Sequence, residues 1–241
     1  MKGILLLSIL VLFPYVVSIA QEPDETEDWS RRPVVILPGN QNSAPSDAII
    51  LFDGENLDAW TGRKGPSTWQ IVDGAIEVIP GNGSLVTKKE YGDIQLHIEW
   101  QTPREITGKG QERGNSGVYL MTLYEVQVLD SWDNETYYNG QAGAVYKQHI
   151  PLVNASLPPG VWQSYDIVFT APRFDINKDL IQPAYITVFH NGVLIQNHVE
   201  LKGPTHDSGI PEYHFHEGKM PLMLQDHSNK LRFRNIWIRE L

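Results

Sequence analysis

Short segments in which apolar and polar residues alternate follow one another along most of this chain, beginning near Ile49. In residues 95–100, Leu96, Ile98 and Trp100 fall on one face of an extended strand, and the polar residues between them fall on the other. Gly, Pro, Asn and Asp separate the segments, and no sustained 3.6-residue apolar stripe appears, so the pattern predicts strands rather than helices. The predicted strands cover residues 69–72, 75–79, 94–102, 116–121, 124–129, 162–171, 184–190, 194–201, 220–225 and 231–239.

Two dipeptides predict where neighbouring strands connect. Asp73-Gly74 and Asn191-Gly192 stand between apolar runs, and such pairs favour the tight two-residue turns of β-hairpins. Because many short strands follow one another without helices between them, we expect an all-β fold, an antiparallel β-sandwich. We expect this fold to form one domain over residues 48–241.

The N-terminal part of the chain has a different composition. Lys2 supplies a positive charge, residues 4–19 are mostly apolar, and small residues precede a cleavage site after Ala20, which predicts a secretory signal peptide over residues 1–20. The mature protein is then exported, to the periplasm or the extracellular space. Residues 21–47 form an acidic, Pro-rich extension, interpreted as a disordered spacer or a strap, in which residues 34–37 offer an edge strand.

Composition narrows the range of partners. The chain has no cysteine, which excludes a disulfide scaffold and a thiolate metal site. A net charge of −10 disfavours nucleic acid and anionic membrane surfaces as partners. No stretch after the signal segment is long and apolar enough to predict a membrane span.

The segment Tyr-Glu-Val-Gln-Val-Leu-Asp-Ser, residues 124–131, carries polar side chains where a core strand would carry Leu or Val. Glu125 and Gln127 share one strand face, so this strand is predicted to line a groove. The spacing resembles the Glu-x-Asp-x-x-Glu strand of laminarinase-type jelly-roll glycosidases, with Gln127 and Asp130 in place of the second and third acids. Strict alternation places Asp130 on the strand face opposite to that of Glu125, unless a bulge lies between them. The alternative to a functional role for Asp130 is that it forms a turn beside Ser131 at the end of the strand.

Longer strings of residues carry a resemblance to a known family. In their shared order, they resemble the 3-keto-disaccharide hydrolase family, exported proteins of the concanavalin A-like jelly-roll class. The resemblance extends from about Ile49 to Leu241. The matching strings are residues 51–60, 114–120, 124–131, 143–146, 162–167, 188–192, 224–227 and 232–238.

The resemblance implies a carbohydrate substrate that is already oxidised at C3. A separate sugar 3-dehydrogenase acting earlier is one source of such a substrate, and the sequence leaves that question open. A C3 ketone acidifies the C2 proton, so that a base removes it, the C1 leaving group departs by elimination, and water adds afterwards. Such a glycoside hydrolase or lyase needs a base, an acid and a group that holds the developing oxyanion. It does not need the carboxylate nucleophile of a retaining glycosidase.

Candidate residues for these roles follow from the strand face that each residue occupies and from the resemblance to the family. Glu125 is the candidate base, and Asp130 and His227 are the candidates for further proton transfer, although a lone histidine is often an ordinary surface or core residue. Arg113 is a candidate for holding the C3 oxygen, with a solvated charge as the alternative. The remaining candidates, which would line the site by amide, guanidinium or aromatic contacts, are Asn115, Gln127, Trp132, Tyr146, Gln225 and Arg232.

Two questions stay open at this point. His214 and His216 alternate on one segment, but no third ligand is fixed, so the sequence requires no cofactor and leaves a divalent cation undecided. The second question is catalysis itself, because a fold does not specify function. The alternative to an enzyme is a non-catalytic carbohydrate-binding module on the same jelly roll.

Overall fold

The structure is a computed structural model that describes residues 26–40 and 43–241. The predicted signal peptide, residues 1–20, lies outside the described residues. The chain divides into two compact units, Met1–Val35 and Ile36–Leu241, and the fold described below is that of the second unit. Residues 34–37 form no strand, so the edge strand suggested by their apolar character is wrong.

Antiparallel strands build the second unit, and they form two large sheets within the described residues. The larger sheet has the order β13-β12-β9-β6-β15-β4-β3, with β1 pairing to β15; the smaller has the order β2-β5-β14-β7-β8, and β10 and β11 form a separate hairpin. The strands are β1 (Ile49–Phe52), β2 (Trp60–Gly62), β3 (Gln70–Val72), β4 (Ala75–Glu77), β5 (Leu85–Tyr91), β6 (Ile94–Gln101), β7 (Ser116–Leu120), β8 (Tyr124–Val128), β9 (Gln163–Thr170), β10 (Arg173–Phe174), β11 (Leu180–Gln182), β12 (Tyr185–His190), β13 (Val193–Glu200), β14 (Met220–Leu224) and β15 (Arg232–Glu240).

One hydrophobic core lies between the two sheets. Leu96 and Ile98 on the inner face of β6 are fully buried, as are Val118 on β7 and Val126 on β8, and all belong to a single cluster. Burial of each such side chain stabilises the fold by about 1.5–3 kcal/mol. The predicted all-β antiparallel sandwich of the jelly-roll class is confirmed.

The two predicted hairpins are also confirmed. Asp73 and Gly74 have φ of 52° and 71°, and they connect β3 to β4. Asn191 and Gly192 have φ of 52° and 78°, and they connect β12 to β13. Positive φ at both central positions is the geometry of the turn type that these dipeptides favour.

Strands β1, β2, β5, β10 and β11 are not predicted by the alternation. In β5, three buried residues are followed by the exposed run Lys88-Lys89-Glu90, so that no period of two is visible. The described residues contain no helix long and apolar enough to cross a membrane. Their short helical turns are Gly110–Glu112 and Tyr138–Gly140.

Strand β8 lies at one end of the smaller sheet and presents two different faces. Val126 points into the core, whereas Glu125 and Gln127 point away from it and are nevertheless buried. A following segment covers the free edge of β8, because the Gln127 amide donates to the Ala144 carbonyl and the Tyr146 amide donates to the Glu125 carbonyl. The polar face of β8 therefore lies beneath loops rather than in open solvent.

Candidate active site

A cavity of about 120 Å³ lies over this polar face, on the side of the smaller sheet that faces away from the core. Strands β7 and β8 supply its floor, the end of β14 supplies one wall, and two loops cover it. Six of the residues predicted for the site line this cavity together with three others. The lining residues are Asn115, Tyr119, Glu125, Gln127, Tyr146, Thr205, Asp207, Gln225 and His227.

Glu125 is the central titratable group of the cavity. Its side chain is buried, and its backbone amide donates to the Thr205 hydroxyl at 3.0 Å. Burial raises the pKa of Glu125 to about 7, against an opposing hydrogen bond from Tyr119 that favours the ionised form. Both protonation states are therefore populated near neutral pH, as a general base or acid requires.

Tyr119 faces Glu125 across the β7–β8 pair. The Gln225 amide nitrogen donates to the Tyr119 oxygen at 3.2 Å, so the Tyr119 hydroxyl is free to donate its own proton to Glu125. Burial and the nearby Glu125 charge raise the pKa of Tyr119 above its ordinary value, which keeps the phenol protonated. The result is a directed chain of hydrogen bonds from Gln225 through Tyr119 to Glu125.

Gly117 provides the space that the Glu125 carboxylate occupies. A Cβ atom at position 117 would lie 2.3 Å from the Glu125 Oε1 atom and 2.7 Å from the Tyr119 ring. Glu125 is buried and Tyr119 is half-buried, and both line the cavity, so neither can move away without disturbing the site. The absence of a side chain at this position is thus a requirement of the site geometry.

Neutral amides form the other side of the cavity. Gln127 donates to the Asn115 carbonyl oxygen at 3.1 Å, and Asn115 donates to the Gln111 backbone carbonyl at 2.7 Å. The side-chain oxygen of Gln225 is buried and has no hydrogen-bond partner among the described residues. Because buried polar atoms are nearly always paired, this oxygen is a candidate acceptor for a substrate hydroxyl.

Two loops meet at the entrance of the cavity. The Tyr146 and Tyr137 hydroxyls are 2.6 Å apart, and the Lys147 ammonium lies over both rings, 5.3 Å and 5.9 Å from their centroids. Lys147 also donates to the Asp207 carbonyl, which joins the loop that carries Tyr146 to the loop that carries Thr205. This aromatic entrance offers planar surfaces to the part of a ligand that extends out of the cavity.

Two of the candidate charged residues pair with each other outside the cavity. The Arg113 Nε atom lies 2.7 Å from an Asp130 carboxylate oxygen, and both side chains are almost completely buried. Arg113 also donates to the carbonyls of Trp132 and Asp133. Asp130 accepts the Trp132 amide, the pattern of a turn-forming Asp, so the geometry gives this pair a structural role instead of proton transfer or oxyanion binding.

Two further candidates also lie away from the cavity. Arg232 pairs with Glu77 at 2.8 Å and with Asp73 at 3.4 Å on the larger sheet, which is the other side of the sandwich. Trp132 is 46% exposed and does not line the cavity. The placement of Arg232 and Trp132 therefore does not fit the substrate contacts predicted for them.

The sequence reasoning missed three lining residues, Tyr119, Thr205 and Asp207. A signal for Tyr119 was available, because it stands two positions from Gly117 on the predicted strand that immediately precedes the Glu125 strand along the chain. Thr205 and Asp207 lie on an irregular loop, where no periodic pattern marks them. Only the folded chain brings that loop to Glu125.

The histidine pair considered for a metal does not converge on a site. His216 is held by the Tyr124 hydroxyl at 2.7 Å, whereas His214 is exposed. In residues 26–40 and 43–241, no three His, Asp or Glu side chains are grouped as metal ligands would be. A chelator experiment would test whether the protein requires a divalent cation.

Two antiparallel sheets define a jelly-roll protein, and the smaller sheet carries a cavity lined by a carboxyl group with a near-neutral pKa and by several amides. Residues 47–239 match the family described as the 3-keto-alpha-glucoside-1,2-lyase-like domain. The chain belongs to this family, and the resemblance noted in its sequence is confirmed.

Solved structures agree with this assignment. A "putative glycosyl hydrolase" from Parabacteroides distasonis ATCC 8503 is 45% identical, with 91% of this chain and 97% of that chain covered and a TM-score of 0.88. A second protein of the same description and organism is 21% identical, with coverages of 81% and 94% and a TM-score of 0.60, and shows the fold alone. No curated protein matches the chain.

Proposed function

We propose that this protein is an exported enzyme that cleaves 3-keto glycosides by removing the C2 proton. The family and the 45% identical glycosyl hydrolase support a carbohydrate-active enzyme. The observation that carries the finer proposal is Glu125, a buried carboxyl group with a pKa of about 7 in a cavity lined by amides. A base of this kind suits the removal of a proton next to a ketone at neutral pH.

The first step is proton abstraction. The ionised Glu125 carboxylate takes the C2 proton, the electrons of the C2–H bond move toward the C3 carbonyl oxygen, and an enediolate forms. The hydrogen bond from Tyr119 engages the carboxylate and orients it toward C2. With Arg113 held by Asp130, we assign oxyanion stabilisation to the second N–H of the Gln127 amide, whose 3.5 Å contact with the Gln111 side chain is long enough to be exchanged for a ligand.

The second step is departure of the leaving group. The enediolate electrons re-form the C3 carbonyl, a C1–C2 double bond forms, and the C1–O bond breaks. His227 lines the cavity and is exposed, and we assign it the donation of a proton to the departing oxygen. Addition of water across the double bond then yields the free 3-keto sugar, so that a lyase and a hydrolase differ only in this last addition.

The size of the cavity supports action on a single terminal ring. Its volume of about 120 Å³ is below the roughly 300–1,000 Å³ of sites for drug-sized ligands. A 3-keto ring fills such a space, and the leaving group extends past Tyr146 and Tyr137. The substrate must come from an oxidation at C3, so we place a sugar 3-dehydrogenase before this enzyme.

The test compares a 3-keto disaccharide with its unoxidised parent. Each is incubated with the mature protein in D2O, and products are followed by mass, with a chelator in a parallel sample. We expect cleavage of the keto sugar alone, with deuterium at C2, and loss of both cleavage and exchange in Glu125→Gln. Cleavage of the parent at a similar rate would refute keto activation, and chelator sensitivity would indicate a metal requirement.

A carbohydrate-binding module is the other outcome that this experiment distinguishes. Binding of the keto sugar to wild-type protein with neither cleavage nor C2 exchange would assign the amide-lined cavity to recognition alone. The near-neutral pKa of Glu125 argues for the enzyme, because a binding module has no need of a carboxyl group that changes charge at pH 7.

A further inference from the structure

A second concave region lies on the outer face of the larger sheet. Two adjoining cavities of about 540 Å³ and 430 Å³ share Glu99 and Arg234, and each is larger than the cavity over Glu125. We call this region the outer groove. Its polar centre consists of His97, Glu99, Trp162, Asp166, Asn191 and Arg234.

A network of charges organises the floor of the outer groove. His97 Nδ1 lies 2.6 Å from an Asp166 oxygen, and the Arg234 Nε atom donates to Glu99 at 2.6 Å. Burial alone would lower the pKa of His97, but hydrogen bonds with Asp166 and Glu99 outweigh it and raise the pKa to about 9. At neutral pH the polar centre thus holds two cations and two anions, and the Asp53 carboxylate in the adjoining cavity adds a third anion.

A backbone irregularity directs these side chains. Asn235 has a φ of 47°, and the pairing of β15 with β6 shifts register between Arg234 and Trp237. The Asn235 amide donates to Glu99 at 2.8 Å and contacts His97 at 3.2 Å. Bulges of this kind commonly re-aim side chains at functional sites.

Several polar atoms of the outer groove are available to a ligand. The two terminal nitrogens of Arg234, the second carboxylate oxygen of Asp166 and the Trp162 indole nitrogen make no hydrogen bond to any described residue. The Arg234 guanidinium lies over one face of the Trp162 ring, 4.1 Å from the ring centroid, which places donors beside the part of the indole that it leaves uncovered. Donors, an acceptor and an aromatic ring therefore open into the same space.

We propose that the outer groove is a second, non-catalytic binding site for a neutral saccharide. Sugar hydroxyls both donate and accept, so they match the free groups of Arg234 and Asp166, and the apolar face of a sugar ring packs against Trp162. The excess of anions in the groove and the net charge of −10 disfavour a polyanionic ligand. The groove and the Glu125 cavity lie on opposite outer faces of the sandwich, so both can be occupied together.

Calorimetric titration of full-length Glu125→Gln protein with maltotriose, cellotriose and laminaritriose tests the site without cleavage. We expect saturable binding of at least one of these neutral trisaccharides. Trp162→Ala and Arg234→Ala should each weaken it by about tenfold or more, a change readily resolved in Kd. Trp132→Ala, which removes an exposed tryptophan outside the groove, should leave the affinity unchanged. Circular dichroism establishes that each variant is folded.

Three results would overturn the proposal. One is the absence of binding by all three trisaccharides at concentrations on the order of 10 mM. Another is binding that both groove variants retain in full. The third is preferential binding of trigalacturonate, because a negatively charged saccharide contradicts the excess of anions in the groove. None of these results depends on the reaction at Glu125, so the proposed function stands or fails separately.

Discussion

Tyr119→Phe isolates the hydrogen bond that tunes the candidate base. The substitution keeps the ring and removes only the hydroxyl group that donates to Glu125. A hydrogen bond to a charged group contributes about 1.5–3 kcal/mol, and one pKa unit corresponds to about 1.36 kcal/mol. Because the bond favours the ionised form, its loss should raise the pKa of Glu125 by about one to two units from its value near 7.

This shift has a direct consequence for activity. At pH 7 the ionised fraction of Glu125 should fall between about fivefold and fiftyfold, and the acidic limb of the kcat/KM profile should move to higher pH by the same one to two units. Carbon-13 NMR titration of the Glu125 carboxyl group measures the pKa without substrate. Tyr137→Phe is the matched control, because it removes a hydroxyl that contacts Tyr146 but not Glu125. An unchanged or lowered pKa of Glu125 in Tyr119→Phe would refute the reasoning.

Further predictions concern space, buried charge and pH. Gly117→Ala should reduce kcat/KM at least about tenfold by displacing the Glu125 carboxylate, whereas Gly218→Ala, whose Cβ would meet nothing within 4 Å, should not; equal activities would contradict the packing argument. Arg113→Met should lower the free energy of unfolding by about 3–5 kcal/mol in urea titrations because Asp130 is left buried and unpaired, and a change under about 1 kcal/mol would show that the pair contributes little. The pKa of Glu125 is raised from 4.5 to about 7 on folding. The contribution of Glu125 to the free energy of unfolding should therefore be fully present below pH 4.5, and about 3 kcal/mol of it should be lost as the pH rises through 7. Glu125→Gln should lack this fall, and parallel pH–stability curves for the two proteins would exclude the burial effect.

The elements that sequence predicts well are those decided by neighbouring residues. The alternation of β6 determines which side of that strand is apolar, and Asp73-Gly74 and Asn191-Gly192 specify tight turns through their own backbone preferences. The outward face of β8, with Glu125 and Gln127, follows from the same period of two. Each of these features depends on contacts or torsions within a few residues.

The features that sequence did not predict depend on distant segments. Arg113 and Asp130 are 17 residues apart, and their charges alone do not tell whether they meet a sugar or each other. Thr205 reaches the Glu125 backbone across 80 positions of the chain, from a loop with no periodic pattern. Tyr119 lies opposite Glu125 because of the register in which β7 pairs with β8. The pattern of residues within one strand does not determine that register.

From its sequence alone, this protein is predictable as an antiparallel all-β fold with Glu125 on an outward strand face, because alternation and turn chemistry are local properties. Its jelly-roll class and carbohydrate-active family come from the resemblance of longer sequence strings to that family. The tertiary structure alone decided which polar residues share a site. It brings Tyr119, Gln225 and the Thr205 loop around Glu125, and it withdraws Arg113, Asp130 and Arg232 into separate ion pairs. The near-neutral pKa of Glu125 results from burial beneath those distant segments, and desolvation of a carboxyl group is a property of the folded chain.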